Sequence, residues 1–562
     1  MQNYKGSRVF EGYALGKLAV YEAIKVEKSV GTGVEAEFER FEIARSETVQ
    51  ALDKSFMETL AKLGEEEAQL FETHKLMAED LDFEDAIRAN LEEGVTAEYA
   101  VIQAGEELAS MFASMDDAYM KERANDVKEV ASRIVSFLKK EEKGFRLEEP
   151  SIIICDDLPS SELMKLDKNM ILGIVFVKGG GNSHVSILTR MLEIPAICGI
   201  ENLVVNKDLD GLYAILNASG GELIIKPSVD VISFYSQKKK EHEENKARLR
   251  AFVGKETLTK DGKKVEIYSN IASSFEAQNA IRNDSEGIGL FRSEFIYLDS
   301  KNYPSEDEQF EHYKRVVQEM KGKEVIIRTL DIGADKKIDY FDLPDEENPA
   351  LGFRSIRICM KRPEIFSTQL QALYRASHYG NLAVMIPMII SESEIDFVHE
   401  MCDLAKENLR KRGLPFNEKM KIGIMVETPA AAILSDVFAQ KVDFFSIGTN
   451  DLSQYTLAID RVNPNLSNCF NPHHPSVCRL IKLVCENAHK AGIKVGICGE
   501  LARDEKMLPF FLKIGIDELS VSPAYTLSLR EQISLISTED VDLNKYIWGK
   551  QINNEWLYFK IL

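Results

Sequence analysis

The second half of the chain alternates short apolar segments with longer amphipathic ones, and this alternation is the strongest constraint on its fold. Each apolar segment has the length of a strand and is followed by apolar residues at helical spacing. Eight consecutive strand-then-helix units are typical of a (β/α)8 barrel. The sequence therefore predicts a barrel over residues 259–562. The eight apolar segments begin at Val265, Gly287, Glu324, Leu382, Lys421, Phe444, Lys494 and Glu518.

Polar side chains follow several of these predicted strands at their C-terminal ends, where barrel enzymes bind their substrates. Arg292, Arg328 and Arg461 supply positive charge, with Arg354 and Lys336 as further candidates. An arginine inside an apolar strand, as in VIIRTL, would be a buried and unpaired charge, which costs free energy unless the side chain faces a polar pocket. For any single arginine the alternative is a surface salt bridge. As a group they predict a site for a small ligand that carries both phosphate and carboxylate.

Two acidic residues at successive strand ends form a candidate metal site. Glu427 precedes Thr428 and Pro429, which can themselves begin a helix and so leave its carboxylate available. Asp451 follows Asn450 after the next strand, although either residue could instead cap the helix that comes next. Carboxylate and amide oxygens are ligands of hard cations, so this pattern predicts Mg²⁺ held by Glu427 and Asp451.

Cys498 ends the seventh predicted strand, in VGICGEL. An unperturbed thiol has a pKa of about 8.5, so it keeps its proton at neutral pH and can donate it as a general acid. The alternative is a packing role, which explains most buried cysteines. The residue pattern leaves both interpretations open. The other seven cysteines form no CxxC pair and predict reduced thiols.

Residues 34–142 predict a bundle of three to five helices. The segment is rich in Glu, Ala, Leu and Lys, spaces its apolar residues at three and four, and contains no proline. Apolar segments of strand length flank it, at 8–21 on one side and at 151–159 and 170–180 on the other. We therefore expect the flanking strands to share one α/β domain, into which the bundle is inserted. A charged stretch around 236–252 predicts a solvated linker helix.

His184 follows three glycines in KGGGNSHVSILTR. Asn182 and Ser183 are good helix caps, so the pattern predicts a glycine-rich loop that ends in a helix carrying His184 in its first turn. The unpaired N–H groups and positive dipole end of such a helix favour a neutral imidazole and a bound anion. His184 is thus a candidate nucleophile that could hold a phosphoryl group; the alternative is a histidine that caps or packs.

Charge and hydropathy exclude several classes of partner. The net charge of −22 makes nucleic acid and anionic membranes poor candidates. The first residues lack an apolar segment of signal-peptide length, and no apolar run approaches the roughly 18 residues of a membrane span. We therefore expect a cytoplasmic protein with no membrane insertion.

Taken in order, the motifs resemble those of the Enzyme I family, the phosphoenolpyruvate-protein phosphotransferases of the bacterial sugar phosphotransferase system. GGGNSHVSILTR resembles the phosphohistidine segment of phosphoenolpyruvate-utilising enzymes. The resemblance spans nearly the whole chain. The segments that resemble the family's barrel motifs are EGIGLFRSEFIYLD, RTLDIGADK, EENPALGFRSIRI, VETPAAAILSD, SIGTNDLSQYTLAIDR and ICGEL.

The resemblance implies a multidomain α/β fold, in which a swivelling phosphohistidine α/β domain carries an inserted helical bundle and precedes a (β/α)8 TIM barrel. The α/β domain would comprise residues 1–21 and 146–230. The inserted, HPr-binding bundle would comprise residues 22–145. A linker helix over residues 231–258 would lead into a phosphoenolpyruvate-binding barrel over residues 259–562.

The resemblance also implies a mechanism and partners. His184 would take the phosphoryl group of phosphoenolpyruvate with Mg²⁺ on Glu427 and Asp451, and would pass it to the carrier protein HPr. Cys498 would protonate the departing enolate. A homodimer formed through the barrel is expected. The residues implied in substrate binding are Arg292, Arg328, Asn450, Asp451 and Arg461, with Lys336 and Arg354 beside them.

Departures from the family pattern define the alternatives. The family usually has GGRTSH, whereas this chain has Gly181 and Asn182 in place of the arginine and threonine. The first alternative is therefore a divergent paralogue that transfers poorly or uses a different carrier and acts as a phosphoenolpyruvate-responsive regulator. The second is a dikinase-type enzyme. It would need a nucleotide-binding domain before His184, where no GxxxxGK[ST] loop occurs.

Overall fold

The computed structural model describes residues 1–22, 26–62, 65–114, 118–140, 145–178, 184–298, 300, 302–333, 338–466 and 468–548. The chain divides into two compact units, Met1–Lys246 and Ala247–Leu562. The first contains a mixed sheet and a helical bundle, and the second contains a closed barrel. The predicted multidomain α/β fold with a (β/α)8 barrel is confirmed.

The first unit is built on an eight-stranded mixed sheet with the strand order β1-β8-β7-β3-β4-β5-β6-β2. Strands β3, β4, β5 and β6 run parallel to one another, whereas the pairs β1–β8, β8–β7, β7–β3 and β6–β2 are antiparallel. Because β3 precedes the bundle and pairs with β4 after it, the bundle is inserted into the sheet domain as expected. The strands are β1 (Gln2–Lys5), β2 (Ser7–Phe10), β3 (Tyr13–Tyr21), β4 (Ser151–Cys155), β5 (Ile171–Phe176), β6 (Ala196–Cys198), β7 (Tyr213–Asn217) and β8 (Glu222–Ile225).

Five helices form the bundle in the described part of the insertion. Its core consists of buried apolar side chains from all five helices, among them Phe41, Ala78, Ile87, Val101 and Ile134, as the spacing of three and four requires. The bundle helices are α1 (Val34–Lys62), α2 (Glu65–Ala78), α3 (Leu81–Glu92), α4 (Ala97–Ser114) and α5 (Ala118–Leu138). The helices that follow are α6 (Ser160–Lys165), α7 (His184–Met191) and the linker helix α8 (Val229–Arg250).

The second unit closes eight parallel strands into a barrel, in the order β10 to β16 and then β9. All eight predicted strands are present. They are β9 (Glu266–Ile271), β10 (Gly287–Arg292), β11 (Val325–Arg328), β12 (Leu382–Ile386), β13 (Lys421–Val426), β14 (Phe444–Ile447), β15 (Lys494–Ile497) and β16 (Glu518–Val521).

Helices surround this barrel and bury the outer faces of its strands in one large apolar core. A smaller apolar cluster fills the barrel interior, with Tyr268, Ile326, Met385 and Phe444 among its members. The helices are α9 (Ser274–Arg282), α10 (Glu294–Leu298), α11 (Glu306–Glu319), α12 (Ile356–Lys361), α13 (Pro363–Ala376), α14 (Glu392–Arg412), α15 (Pro429–Ile433), α16 (Ser435–Phe438), α17 (Thr449–Leu457), α18 (Pro475–Ala491), α19 (Leu508–Ile514), α20 (Thr526–Leu535) and α21 (Asn544–Ile547). None of the described helices has both the length and the apolar character that crossing a membrane requires.

Candidate active site

The C-terminal ends of the barrel strands bring most of the predicted site residues together. Arg292 and Arg328 are the last residues of β10 and β11 and are paired in register. Cys498 directly follows β15, and Asn450 and Asp451 lie in the first turn of α17, which follows β14. Because parallel strands end on one face of a barrel, residues far apart in sequence share that face.

A cavity of about 1120 Å³ opens on this face. Its lining includes most of the substrate-binding candidates and the thiol. Glu427 is not part of the lining, but it lies against Gly448, which is. Lys336 lies outside the described residues, so its predicted role stays a prediction. The predicted residues that line the cavity are Arg292, Arg328, Arg354, Asn450, Asp451, Arg461 and Cys498.

A buried chain of alternating charges holds two of the arginines in place. The Nη2 atom of Arg328 lies 2.5 Å from Oε1 of Glu294, and its Nη1 lies 2.9 Å from Oδ2 of Asp331. Arg354 Nη2 lies 3.0 Å from the other oxygen of Asp331. All four side chains are at most 8 % exposed. The two carboxylates balance the two guanidinium groups, so this buried cluster of four side chains carries no net charge.

The neighbouring carboxylates keep Arg328 charged despite its burial. Burial alone would lower the pKa of its guanidinium, but Asp331 and Glu294 outweigh that effect and raise the pKa above its ordinary value. Its Nε atom, like that of Arg292, is buried and has no hydrogen-bond partner among the described residues. Arg292 instead stacks over the ring of Phe295, with 5.1 Å between guanidinium carbon and ring centroid. Both arginines line the cavity, and each has an Nε–H donor that no described residue uses, so they can bind an anion there.

The two candidate metal ligands, Glu427 and Asp451, repel each other electrostatically. Glu427 is 1 % exposed, and its Oε1 accepts a hydrogen bond of 2.7 Å from the backbone N–H of Met388. Burial first, and then the charges of Asp451 and Asp331, raise the pKa of Glu427 to about 8. A divalent cation would remove this cost, so the donor set fits the predicted Mg²⁺. No group of three acidic, histidine or cysteine ligands occurs in the described residues, so water and substrate would have to complete the shell.

The helix caps decide between two of the interpretations left open by sequence. Thr428 caps α15 through its side chain and Pro429 follows, as predicted. The cap of α17 is Gly448, so neither Asn450 nor Asp451 is spent on capping. Asp451 instead lies 3.9 Å from the guanidinium of Arg461, and the Asn450 side-chain oxygen accepts the N–H of Glu500 at 3.2 Å.

The thiol of Cys498 is a protonated group at the wall of the cavity. The residue is 6 % exposed, and its Sγ lies 3.7 Å from the carbonyl oxygen of Ile447. Burial raises the pKa of the thiol to about 12. The thiol therefore holds its proton at neutral pH and can give it to a stronger base, as a general acid must.

Several polar residues of the cavity were not identified from sequence. Asn270 of β9 donates 3.1 Å hydrogen bonds to the carbonyl oxygens of Cys498 and Ser520, and so braces the strand end that carries the thiol. Tyr455 donates to the carbonyl oxygen of Ala350 at 2.5 Å. The available signals were an asparagine within the apolar strand VEIYSNIA and a tyrosine one helical turn after Asp451.

His184 belongs to the other unit of the chain. It is the first residue of α7, at the position that the glycine-rich pattern predicts for a helix start. The preceding residues, including Gly181 and Asn182, lie outside the described residues.

Three family descriptions match the chain in order. They are the N-terminal domain of PEP-utilising enzymes over residues 5–123, their mobile domain over residues 147–221, and their PEP-binding domain over residues 246–538.

Curated relatives match over almost the whole length. A phosphoenolpyruvate-protein phosphotransferase of Bacillus subtilis is 39% identical over 551 residues, which cover 96% of each chain. The protein of the same name from Listeria monocytogenes is 39% identical over 546 residues, with 96% of this chain and 95% of the relative covered. That of Mycoplasma capricolum is 40% identical over 541 residues and covers 95% and 93%.

Proposed function

The chain belongs to the phosphoenolpyruvate-protein phosphotransferase family, and from this premise we propose that it moves a phosphoryl group from phosphoenolpyruvate to His184 and then to the carrier protein HPr. This transfer is the first step of the bacterial sugar phosphotransferase system. The observation that carries the proposal is the barrel cavity, where arginines, Asp451 and a protonated thiol gather at one end of the strands, with Glu427 beside Gly448 of its lining.

Phosphoenolpyruvate is a compact anion with a phosphate and a carboxylate, and the cavity offers a donor for each. Arg292, Arg328 and Arg461 bind its negative charge, and Asn450 supplies an amide. Arg354 and Lys336 assist them. The ion pairs of Arg328 to Glu294 and Asp331 fix its guanidinium before substrate arrives. Little reorganisation is then needed when charge develops during transfer.

The reaction needs a divalent metal, and we assign it as Mg²⁺ bound by Glu427 and Asp451. When bound there, the cation would neutralise charge on the phosphate and the enolate oxygen. Glu427 is held for this role by its hydrogen bond from Met388, which leaves its second oxygen beside Gly448.

The chain's own residues perform two chemical steps. The Nε2 atom of His184 forms a bond to phosphorus as the bond between phosphorus and the enol oxygen breaks. The resulting enolate of pyruvate takes a proton on carbon from the thiol of Cys498, whose S–H bond breaks. A swivelling movement of the phosphohistidine domain delivers His184 to the barrel and afterwards to HPr, on the slow timescale of domain motion.

Exposed apolar residues support the two protein partners. Leu76 and Leu81 flank the turn between α2 and α3 and are 63% and 74% exposed, which suits docking of HPr on the bundle. On the barrel, Ile433 at the end of α15, Leu434 directly after it and Val437 of α16 are exposed apolar residues. They suit the contact surface of a homodimer. We place the protein in the cytoplasm, where phosphoenolpyruvate is available.

The test is transfer in a purified system. The full chain, phosphoenolpyruvate, Mg²⁺ and HPr should yield phosphorylated HPr and pyruvate in equal amounts, and His184→Ala should yield neither. ATP with pyruvate should phosphorylate nothing. Binding of phosphoenolpyruvate without pyruvate formation would contradict the proposal and identify a regulatory binder instead, and labelling by ATP would identify a dikinase-type enzyme.

A further inference from the structure

Glu518 is a buried carboxyl group inside the barrel that the mechanism above does not use. It is the first residue of β16 and is 7% exposed. Its Oε1 has no hydrogen-bond partner among the described residues. Two glycines make room for it: a Cβ on Gly496 would lie 2.6 Å from its Oε2, and a Cβ on Gly289 would collide with its Oε1. The barrel therefore accommodates a buried carboxyl group because these two positions, Gly289 and Gly496, have no side chain.

The strand register aligns this acid with a hydroxyl group. Ser446, Gly496 and Glu518 are direct neighbours on β14, β15 and β16. Because Gly496 has no side chain, Oε2 of Glu518 can lie over it, on the strand between that of Glu518 and that of Ser446, while Oε1 lies towards Gly289 of β10. The Ser446 hydroxyl is buried and has no carboxylate partner within hydrogen-bond distance in the described residues.

The same register carries the path to the thiol. Cys498 lies two residues after Gly496, so its side chain faces the same side of the sheet, one layer nearer the cavity. The Ser446 hydroxyl lies beside the Cys498 sulfur, where it stabilises the thiolate form and opposes the effect of burial on the pKa. Acid, hydroxyl and thiol thus lie in one interior region between β14 and β16.

The proposed reaction leaves Cys498 in need of a proton. Each turnover converts the buried thiol to a thiolate, whose cavity side is then covered by pyruvate. The next turnover requires the S–H bond to be restored. The proposed function names no group that does this.

We propose that Glu518 returns the proton to Cys498 through the hydroxyl of Ser446, which makes both of them positioning residues for the proton transfer. The Ser446 O–H proton moves to the sulfur. The Glu518 side chain then turns towards Ser446, and its carboxyl proton moves to the Ser446 oxygen. Glu518 is left as a carboxylate and recovers its proton from water at the N-terminal end of the barrel. This inference rests on the proposed role of Cys498.

The acidities of the two ends suit this direction. Burial first, and then the charges of Glu324 and Glu266, raise the pKa of Glu518 to about 8, while Lys494 opposes them. Burial raises that of Cys498 to about 12, so transfer of a proton from the carboxyl group to the thiolate is favourable. Asp517 and Tyr268 are the other titratable groups that face Glu518.

The path also has an outlet to solvent. Glu266 and Lys494 form an ion pair of 2.8 Å at the N-terminal ends of β9 and β15, with 27% and 56% of their side chains exposed. Glu324, 13% exposed, is paired with Lys421 at the same end. Water at this end can therefore reprotonate Glu518 while the cavity end is occupied.

The experiment compares two isotope exchanges in one equilibrium mixture of the full chain with phosphoenolpyruvate, pyruvate and Mg²⁺ in D₂O. Exchange of ¹⁴C between pyruvate and phosphoenolpyruvate counts phosphoryl-transfer cycles. Deuterium that enters carbon 3 of pyruvate and phosphoenolpyruvate is measured by NMR. It counts the cycles in which the thiol proton has exchanged with solvent. Their ratio is independent of slow domain motion, because both counts come from the same cycles.

We expect the ratio to be near one in the wild type and to fall about tenfold or more in Glu518→Gln and in Ser446→Ala. Glu256→Gln, which alters an exposed acid before β9 that the relay does not use, should keep the wild-type ratio. An unchanged ratio in either relay variant that retains ¹⁴C exchange overturns the proposal. Deuterium entry that persists in Cys498→Ala would instead contradict the proposed function of the thiol.

Discussion

Replacing Arg328 by methionine should destabilise the barrel strongly as well as abolish substrate binding. Methionine keeps most of the side-chain length but removes the charge. In the wild type, Glu294 and Asp331 balance Arg328 and Arg354 in a site where no side chain exceeds 8% exposure. Loss of Arg328 leaves this buried set with one uncompensated negative charge.

The magnitude follows from that imbalance. Removing one partner of a buried ion pair costs about 3–5 kcal/mol, because the remaining charge stays desolvated. For a unit as large as Ala247–Leu562 each kcal/mol lowers the melting temperature by about 1.5 °C. We therefore expect a fall of about 5–8 °C. The double variant Arg328→Met with Glu294→Gln leaves Asp331 and Arg354 as a neutral pair, and should regain at least half of the loss.

Calorimetry of the full chain measures this, on the transition that phosphoenolpyruvate with Mg²⁺ raises in the wild type. Arg410→Met is the matched control, because Arg410 and its partner Glu418 are each 56% exposed and their pair should contribute less than about 1 kcal/mol. Neither Arg328 variant should bind phosphoenolpyruvate. The reasoning is refuted if Arg328→Met melts with the wild type, or if the double variant is no more stable than the single one.

Three further predictions concern acid, metal and carrier. Burial would raise the pKa of Glu37, but hydrogen bonds from Thr32 and Ala97 outweigh the effect of burial and lower the pKa from 4.5 to about 2. The ionised Glu37 carboxylate therefore stabilises the folded protein above pH 4.5, and this stabilisation is lost as the pH falls towards 2. The deficit of Glu37→Gln in urea unfolding, about 2 kcal/mol at neutral pH, should therefore shrink over that range, and a constant deficit would contradict the assignment. Gly448→Ala places a methyl group 2.7 Å from Oε2 of Glu427 and should raise the Mg²⁺ concentration for half-maximal activity about tenfold; an unchanged requirement would move the metal elsewhere. Leu81→Glu should raise KM for HPr about tenfold without slowing phosphorylation by phosphoenolpyruvate, whereas Leu404→Glu on the barrel should not, and equal effects of the two would exclude the bundle as the docking surface.

The architecture was largely predictable from sequence because parallel strands are buried on both faces. Such strands appear as continuous apolar runs of limited length, and SIIIC of β4 and VIIR of β11 are both fully buried. The placement of the site followed from the rule that barrel enzymes use the C-terminal strand ends. The spacing of three and four predicted the bundle in the same direct way.

The partners within the site could not be predicted. Arg328 is paired with Glu294, which lies 34 residues away in the sequence, and Glu427 is held by the N–H of Met388, which lies 39 residues away. Such pairs depend on strand register and loop path, which local patterns do not encode. The sequence also gave no sign that Glu518, at the start of its strand, faces the barrel interior, because either register of a short apolar strand is compatible with its composition.

The most direct test of the account is to locate the phosphoryl group on the chain. The protein is incubated with phosphoenolpyruvate and Mg²⁺, quenched at alkaline pH, where phosphohistidine survives, and examined by ³¹P NMR and by mass spectrometry of its peptides. The account predicts one phosphoryl group per chain, on Nε2 of His184, that disappears when HPr is added. A phosphoryl group on any other residue, or none at all while pyruvate accumulates, would contradict it.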